Sequence, residues 1–524
     1  MPDKLSKLQS YSLNKTAGDV KLIKLKDTYK KRTNIDERIS RIKRDQDIPL
    51  TGRANELSEL RRIYFTQKKK LTALKDLKNT HTTNNSEETP VVAGIRGEAG
   101  IGKTRLVNEF LKPHSKNHIT GISDNSVLSP YSLFISMIKK YADISNSDPK
   151  DLIKSKLKFI LQDLSNYEKN KTGKRNLLGT YNLLCYLLGV TQQRVDHRLK
   201  LPAAELKIHL QLAIRVFIEA IASKVNYTGE PLIVVFEDIH WIDDSSASAI
   251  TYILNTLNIG SGKDAIPKII IFLFLYRPEF KVMKEAEQKS EFTEIRLEAL
   301  DYNSVQKIIN SKAGKGKNAM LTDPIPEATV KKLAERSEGN PLFIQEWMKM
   351  LGDKYTREEL IAIKKHKLKF ERSDIEIPDS INLLIEKRLD RLTESELQVL
   401  QYASVTGNEF SDVLLKGMAE LLSNNSRIDE IINALIESKF IQASEKVFGN
   451  EKYYRFHHDV IRKVVYESIP ASSKKILHKT AGEVIEDVFG EKIDQYYYAL
   501  CDHFEKGGAE EKTIEYLEKA GDKA

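Results

Sequence analysis

Cysteine is almost missing from this chain: two residues in 524, Cys185 and Cys501. That scarcity excludes a disulfide-stapled scaffold and a thiolate metal site, and the apolar helical spacing around each cysteine predicts a packing role. Long hydrophobic runs are missing too. No stretch approaches the roughly eighteen apolar residues of a membrane helix, and the longest, Ile266 to Tyr276, is broken by Pro267 and Lys268. The opening MPDKLSKLQS lacks the apolar core of a secretory signal, so a cytoplasmic location is expected.

What is present reads as soluble and globular, with 40% hydrophobic and 30% charged residues. The length predicts about three or four domains. A net charge of +9 raises the question of nucleic acid. Much of the excess lies in the first fifty residues and in QKKKLTALKDLKNTHTT, where it suits solvated tails and loops better than a shaped groove.

Along the chain, residues 1–46 form a basic tether or the end of a preceding domain. LTGRANELSELRRIYF, Leu50 to Phe65, has helical spacing after a Gly52-Arg53 turn. The polar residues 67–89 read as an insertion or flexible loop. Apolar runs from Val91, at Leu232 to Phe236 and at Lys268 to Tyr276 read as buried strands, with helical segments between them. The pattern predicts an α/β fold in which a parallel sheet carries helices on both faces. From Asn303 the pattern is helical. Pro378 to Asp459 suggests three helices and a hairpin, FIQASE and KYYRFH around VFGN, which is a winged-helix pattern. The last segment, from 476, reads as a pair of TPR-like repeat helices; such a pair cannot bury its own apolar face, so further repeats or a partner are expected and the chain reads as a fragment.

GEAGIGKT, Gly97 to Thr104, fits the phosphate-loop pattern G-x-x-x-x-G-K-S/T between a strand and a helix. Gly97, Gly100 and Gly102 let backbone N–H groups turn toward phosphate oxygens, and the following helix start adds its positive dipole end. Lys103 is expected on the β- and γ-phosphates of ATP, and Thr104 on Mg²⁺. Arg105 is placed with the nucleotide-binding set. The strand LIVVF ends in Glu237-Asp238, where α/β sheets bind ligands. One of the two is expected in the Mg²⁺ shell and the other on the attacking water; the sequence leaves the order open. Of Asp243 and Asp244, one is expected to start a helix.

Taken together, LTGRANEL, GEAGIGKTRLVNEF, LIVVFEDIHWIDDSS, FLFLYRPEF, RSEGNPLFIQEW and RFHHDVIRKVVYESI resemble the STAND class of AAA-related P-loop ATPases. More narrowly, they resemble the modules attached to class III nucleotide cyclases, including soluble adenylyl cyclases, and to large LuxR-type regulators. The resemblance runs from about residue 50 to 524. It implies a P-loop NTPase core at 47–285, a helical lid at 286–370, a winged-helix domain at 371–475 and TPR-like repeats from 476 to 524. It also implies that Gly52 and Arg53 lie near the adenine and ribose, that Arg277 faces the γ-phosphate, and that Gly339-Asn340-Pro341 belongs to the lid over the base. His458 falls where related switches sense the diphosphate state. The expected function is a slowly hydrolysing ATP switch, exchanging ATP and ADP, with protein partners on the helical repeats and an attached or partner output domain such as a cyclase. Two rivals are a DNA-binding regulator, disfavoured by the acids of DEIINALIESKF, and a fragment of an adenylate cyclase, although no cyclase catalytic domain is visible.

Overall fold

In the computed structural model the described residues are 50–79, 90–123, 129–145, 148–168, 171–190, 197–257, 268–281, 288, 291–312, 327–354, 377–423, 427–448 and 451–523. The basic segment 1–46 lies outside them.

The chain enters on helix α1 (Ala54–Asn79), then strand β1 (Val91–Arg96), helix α2 (Lys103–Leu111) and strand β2 (His118–Ile122). A helical block follows: α3 (Ser132–Tyr141), α4 (Lys150–Ser165), α5 (Lys171–Gly179), α6 (Tyr181–Leu187) and α7 (Ala203–Tyr227). Strand β3 (Leu232–Glu237), helix α8 (Asp244–Thr256), β4 (Ile270–Tyr276) and β5 (Glu291–Arg296) complete the sheet. Its order is β2-β3-β4-β1-β5, all parallel. Alternation along the inner strands explains why both faces are covered. Val92, Val234, Phe236, Phe272 and Phe274 pack into the helical block, whereas Val91, Ala93, Ile95, Val235 and Leu273 pack under α1 and α2. This is the P-loop NTPase fold.

Two expectations are corrected. The insertion at 67–89 is helical as far as Asn79, and 80–89 lie outside the described residues. Polar composition hid a buried stripe, Gln67 and Leu71, and lysines that tie the helix to the lower edge of the sheet. Lys68 pairs with Glu230 at 2.6 Å, Lys70 with Glu291 at 2.7 Å, and Lys75 donates to the Asn226 carbonyl at 2.6 Å. The second correction adds edge strands β2 and β5. Each is short and half polar, so neither shows the unbroken apolar run of a central strand.

Beyond the sheet come α9 (Tyr302–Lys312), α10 (Glu327–Arg336), α11 (Pro341–Lys354), α12 (Ile381–Leu389) and α13 (Glu394–Thr406). A short strand β6 (Glu409–Ser411), α14 (Asp412–Ser423) and α15 (Ile428–Glu437) lead to the hairpin β7 (Ile441–Phe448) and β8 (Glu451–Phe456). The three strands form an antiparallel sheet in the order β6-β8-β7. Helices α16 (Asp459–Ser468), α17 (Ala471–Phe489), α18 (Tyr497–Gly507) and α19 (Glu510–Lys523) end the described chain, as a mostly helical region. Both cysteines are buried and neither is in a disulfide among the described residues. Among the described residues, no helix is long and apolar enough to cross a membrane.

Candidate nucleotide site

Three neighbouring strands, β3, β4 and β1, deliver their C-terminal ends to one rim of the sheet. Arg96 is level with Tyr276, and Phe236 with Phe274, so the loop after β1, Arg277 after β4 and Glu237-Asp238 at the end of β3 stand side by side. This juxtaposition follows from strand order and could not be read from spacing along the chain.

The loop Gly97–Gly102 starts tied to the neighbouring strand β4, with Gly97 N–H donating to Tyr276 O at 3.2 Å. Gly102 has φ +105° and nothing within 4 Å of where a Cβ would stand, so its backbone is open to an approaching group. Gly100, at φ +78°, is needed for a second reason. A Cβ there would lie 2.6 Å from Leu342, because the start of α11 presses on the loop. Asn340 fastens that contact, donating from Nδ2 to Ala99 O at 3.0 Å, and its Oδ1 accepts from Leu342 N–H at 3.0 Å. Pro341 is the first residue of α11.

Lys103 is 8% exposed, and its Nζ donates to the carbonyls of Gly97 at 2.7 Å and Glu98 at 3.0 Å. Burial lowers its pKa to about 8, against the nearby carboxylate of Asp238, and Arg277 pushes it the same way as burial. Thr104 is exposed at the helix start and its hydroxyl is hydrogen-bonded to Glu237, whose carboxyl is raised by burial and by the adjacent Asp238. The two acids separate for a sharper reason than strand alternation. Asp238 is left-handed, at φ +53°, so the chain turns as it leaves Glu237 and Asp238 departs from the strand line. Its side chain is about half exposed.

Arg277 lies within electrostatic reach of Lys103 and His240. Its guanidinium pairs with Asp459 at 3.5 Å and stands 5.7 Å from the centroid of the Trp241 ring. Arg53 is turned onto the loop: it donates to Ile101 O at 3.3 Å and to Glu298 O at 2.5 Å, and pairs with Glu56 at 3.2 Å. Arg105 follows Thr104 on α2 and is half-buried. His458 is the residue before α16 and makes no side-chain cap, with Nε2 3.9 Å from Glu346 and 3.1 Å from Nδ1 of His457. Burial lowers its pKa to about 4, aided by Lys349.

His240 was not singled out by sequence. Its side chain is 5% exposed, Nδ1 is 4.0 Å from Asp238 Oδ1, and neither ring nitrogen has a hydrogen-bond partner among the described residues. Burial, then Arg277 and Lys103, lower its pKa to about 4, so the ring is neutral at physiological pH. The signal available in sequence was position alone, a polar ring just beyond the paired acids. Asp243 does not join the site. It caps α8 and also holds the start of α3. Among the described residues, no three His, Cys, Asp or Glu converge as a metal cluster.

Comparison with known proteins places residues 69–262 in a match to the family model described as AAA ATPase domain. An uncharacterized protein of Rhizobium meliloti (strain 1021) is 23% identical over 342 residues, which are 65% of this chain and 30% of that protein. Among solved structures, a signal transduction ATPase with numerous domains from Pyrococcus horikoshii, carrying a tetratricopeptide repeat sensor, is 14% identical. It aligns over 85% of this chain and 49% of its own, with a TM-score of 0.41. Cdc6p of Pyrobaculum aerophilum is 10% identical, over 77% of this chain and 95% of its own, with a TM-score of 0.27. The chain thus spans less than half the length of the first two proteins.

Proposed function

We propose that this chain binds ATP with Mg²⁺ at the loop 97–104, hydrolyses it slowly, and serves as a nucleotide-controlled switch for signalling. The observation that carries the reading is the convergence of Lys103, the Thr104–Glu237 hydrogen bond and Asp238 from the ends of β1 and β3, on either side of β4, beside an open glycine loop. The AAA ATPase match covers these four residues.

The residues suit a triphosphate. The backbone N–H groups of the loop and the start of α2 receive phosphate oxygens, and Lys103 trades two carbonyl partners for them. Thr104 and Glu237 would hold Mg²⁺, which would supply charge neutralisation to the phosphate oxygens. Raised by burial, the Glu237 carboxyl is a group that gains from a cation. Asp238, off the strand line and about half exposed, is the acid left to orient water. Neutral His240 offers that water, or a phosphate oxygen, an unpaired buried ring nitrogen.

Arg277 completes the site as a cation for the terminal phosphate. Arg53 shapes the loop by holding Ile101 and Glu298, on the side of the loop proposed for the adenine and ribose. The segments 286–370, 371–475 and 476–524 act as lid, winged helix and start of helical repeats; residues 355–376, which straddle the first boundary, lie outside the described residues. Exposed Ile514 and Leu517 on α19 suit a protein partner on the repeats. An output domain such as a cyclase remains the expected target of the switch. DNA is a poorer target, since α15, the helix before the hairpin, carries Asp429, Glu430 and Glu437 and no lysine or arginine.

Labelled ATP is the test. Lys103→Ala is expected to weaken binding by at least about thirtyfold, since it removes a charge-assisted contact to phosphate. Glu237→Gln and Asp238→Asn are expected to bind ATP yet release little ADP. Equal binding by Lys103→Ala and the parent would refute the site.

A further inference from the structure

Charge is unevenly placed along the folded chain. Residues 150–208 hold twelve lysines and arginines against five acids, whereas residues 476–524 hold twelve acids against six lysines. On α4, Ile153, Leu157 and Leu161 enter the core, while Leu152 and Phe159, two turns apart, are left outside at 43% and 60% exposure. Lys158 is exposed next to Phe159. On α5, which packs against α4, Lys171, Lys174, Arg175 and Leu178 recur at the spacing of one helix face, and all four are exposed. None of these four cations has an acid partner among the described residues.

The last described helix, α19, has the opposite character. Tyr516 and Ala520 are buried, and the other side exposes Ile514 and Leu517 together with Glu510, Glu511 and Glu518. Lys512 and Lys519 are engaged by Glu486 and Glu515, and the three exposed glutamates have no cation partner among the described residues. The two faces thus agree in apolar content and oppose each other in charge. Within one copy both are exposed, so neither is spent on the other.

We propose that the outer face of α4 and α5 receives α19 of a second copy of this chain, with Ile514 and Leu517 seated among Leu152, Phe159 and Leu178. The glutamates of α19 then lie opposite the lysines and the arginine. An apolar face alone accepts many partners, but here the charges select: repulsion excludes α5 on α5 and α19 on α19, so the copies meet head to tail. Each contact leaves one face of each kind free, and association continues until a ring closes or a filament grows. The contact names the partner of the α19 face and does not rest on the ATP reading of the loop.

Sedimentation velocity of the full chain without nucleotide tests it. The parent is expected to grow beyond a dimer with an apparent Kd of about 10–100 µM at low salt, as suits a contact of single helix faces. Association is expected to weaken at least about tenfold between about 50 and 500 mM NaCl, because exposed charges are screened. Leu517→Ser is expected to weaken it at every salt concentration. Lys158→Glu, Lys174→Glu and Arg175→Glu together give a chain with two acidic faces, and Glu510→Lys, Glu511→Lys and Glu518→Lys give one with two basic faces. Each is expected to stay monomeric to about 200 µM, and an equal mixture of the two is expected to associate again, which misfolded chains could not do. A parent that is monomeric at about 200 µM in low salt, association indifferent to these changes, or a mixture that stays monomeric would overturn the proposal. Capture of a monomeric parent by phosphatidylserine vesicles, lost on reversal of the basic face, would overturn it too, by assigning that face to lipid. Lys103→Ala is expected to associate like the parent, so failure of this contact and failure of the nucleotide site are read separately.

Discussion

Lys103 illustrates how a side chain prepares for a ligand at its own expense. Its ammonium is taken from water and given two loop carbonyls, and burial brings its pKa down to about 8 from the usual lysine value. A bound polyphosphate favours the charged form, so binding requires a protonated lysine. Below about pH 8 the free protein already carries that proton and affinity is flat; above it, binding must take the proton up. ATP affinity is therefore expected to fall about tenfold per pH unit above about 8, until the pH reaches the higher pKa of the bound state, and calorimetry in buffers of different ionisation heat is expected to show proton uptake there. Lys103→Arg should bind with no inflection in that range. At this scale much was legible: a glycine loop names its lysine and hydroxyl because backbone geometry and residue type are both demanded locally. His240 and Arg53 were not legible in their observed roles, since an unpartnered ring and a guanidinium on loop carbonyls depend on what folds around them.

Asp243 shows the same division among elements. The sequence marks it as one of two candidate helix starts, and it does cap α8, accepting from Ser246 N–H at 2.8 Å and from the Ser246 hydroxyl at 2.6 Å. It also accepts from the backbone of Tyr131 at 2.9 Å and Ser132 at 3.1 Å, and from the Ser132 hydroxyl at 2.9 Å, so one carboxylate serves the first turns of two helices. Asp243→Ala leaves donors of both helices without their acceptor and is expected to cost about 2–4 kcal/mol in urea unfolding, more than an ordinary cap. A loss near 1 kcal/mol, the usual size for a single cap, would show that α3 does not depend on it. Capping by local sequence is readable; the second helix is brought there by the sheet. Central strands were readable for a related reason, because burial on both faces leaves an unbroken apolar signature. Edge strands β2 and β5 lack that signature, and the lysines of α1 masked a helix whose partners, Glu230 and Glu291, arrive from far along the chain.

Across the whole molecule, the contact that joins α11 to the following helices is a buried cluster with unequal charge. Glu346 is fully buried and paired with Arg388 and with Lys349 at 2.7 Å, and Arg388 stacks 4.4 Å from the ring centroid of Phe440. Burial alone would raise the Glu346 carboxyl, but Lys349 and Arg388 outweigh it and hold it below the usual range. For Lys349 burial prevails over Glu346 and the pKa is lowered. The two cations therefore differ in what their removal does. Lys349→Met leaves Glu346 matched by Arg388 and removes the more weakly supported charge, so its cost is expected to stay within about 1.5 kcal/mol, as for a shape-conserving exchange. Glu346→Gln strands two cations without a counter-charge and is expected to cost about 3–5 kcal/mol. Hydrogen exchange would locate the loss in α11, α12 and α16, with β1, β3 and β4 still protected, since none of those strands contributes to the cluster. The acid side carries the matching sign: a carboxyl held low in the fold contributes stability above its unfolded pKa, lost as pH falls through the folded value. Parent protein should thus lose protection in these helices on acidification, whereas Glu346→Gln, which has no carboxyl to titrate there, should show a shallower dependence.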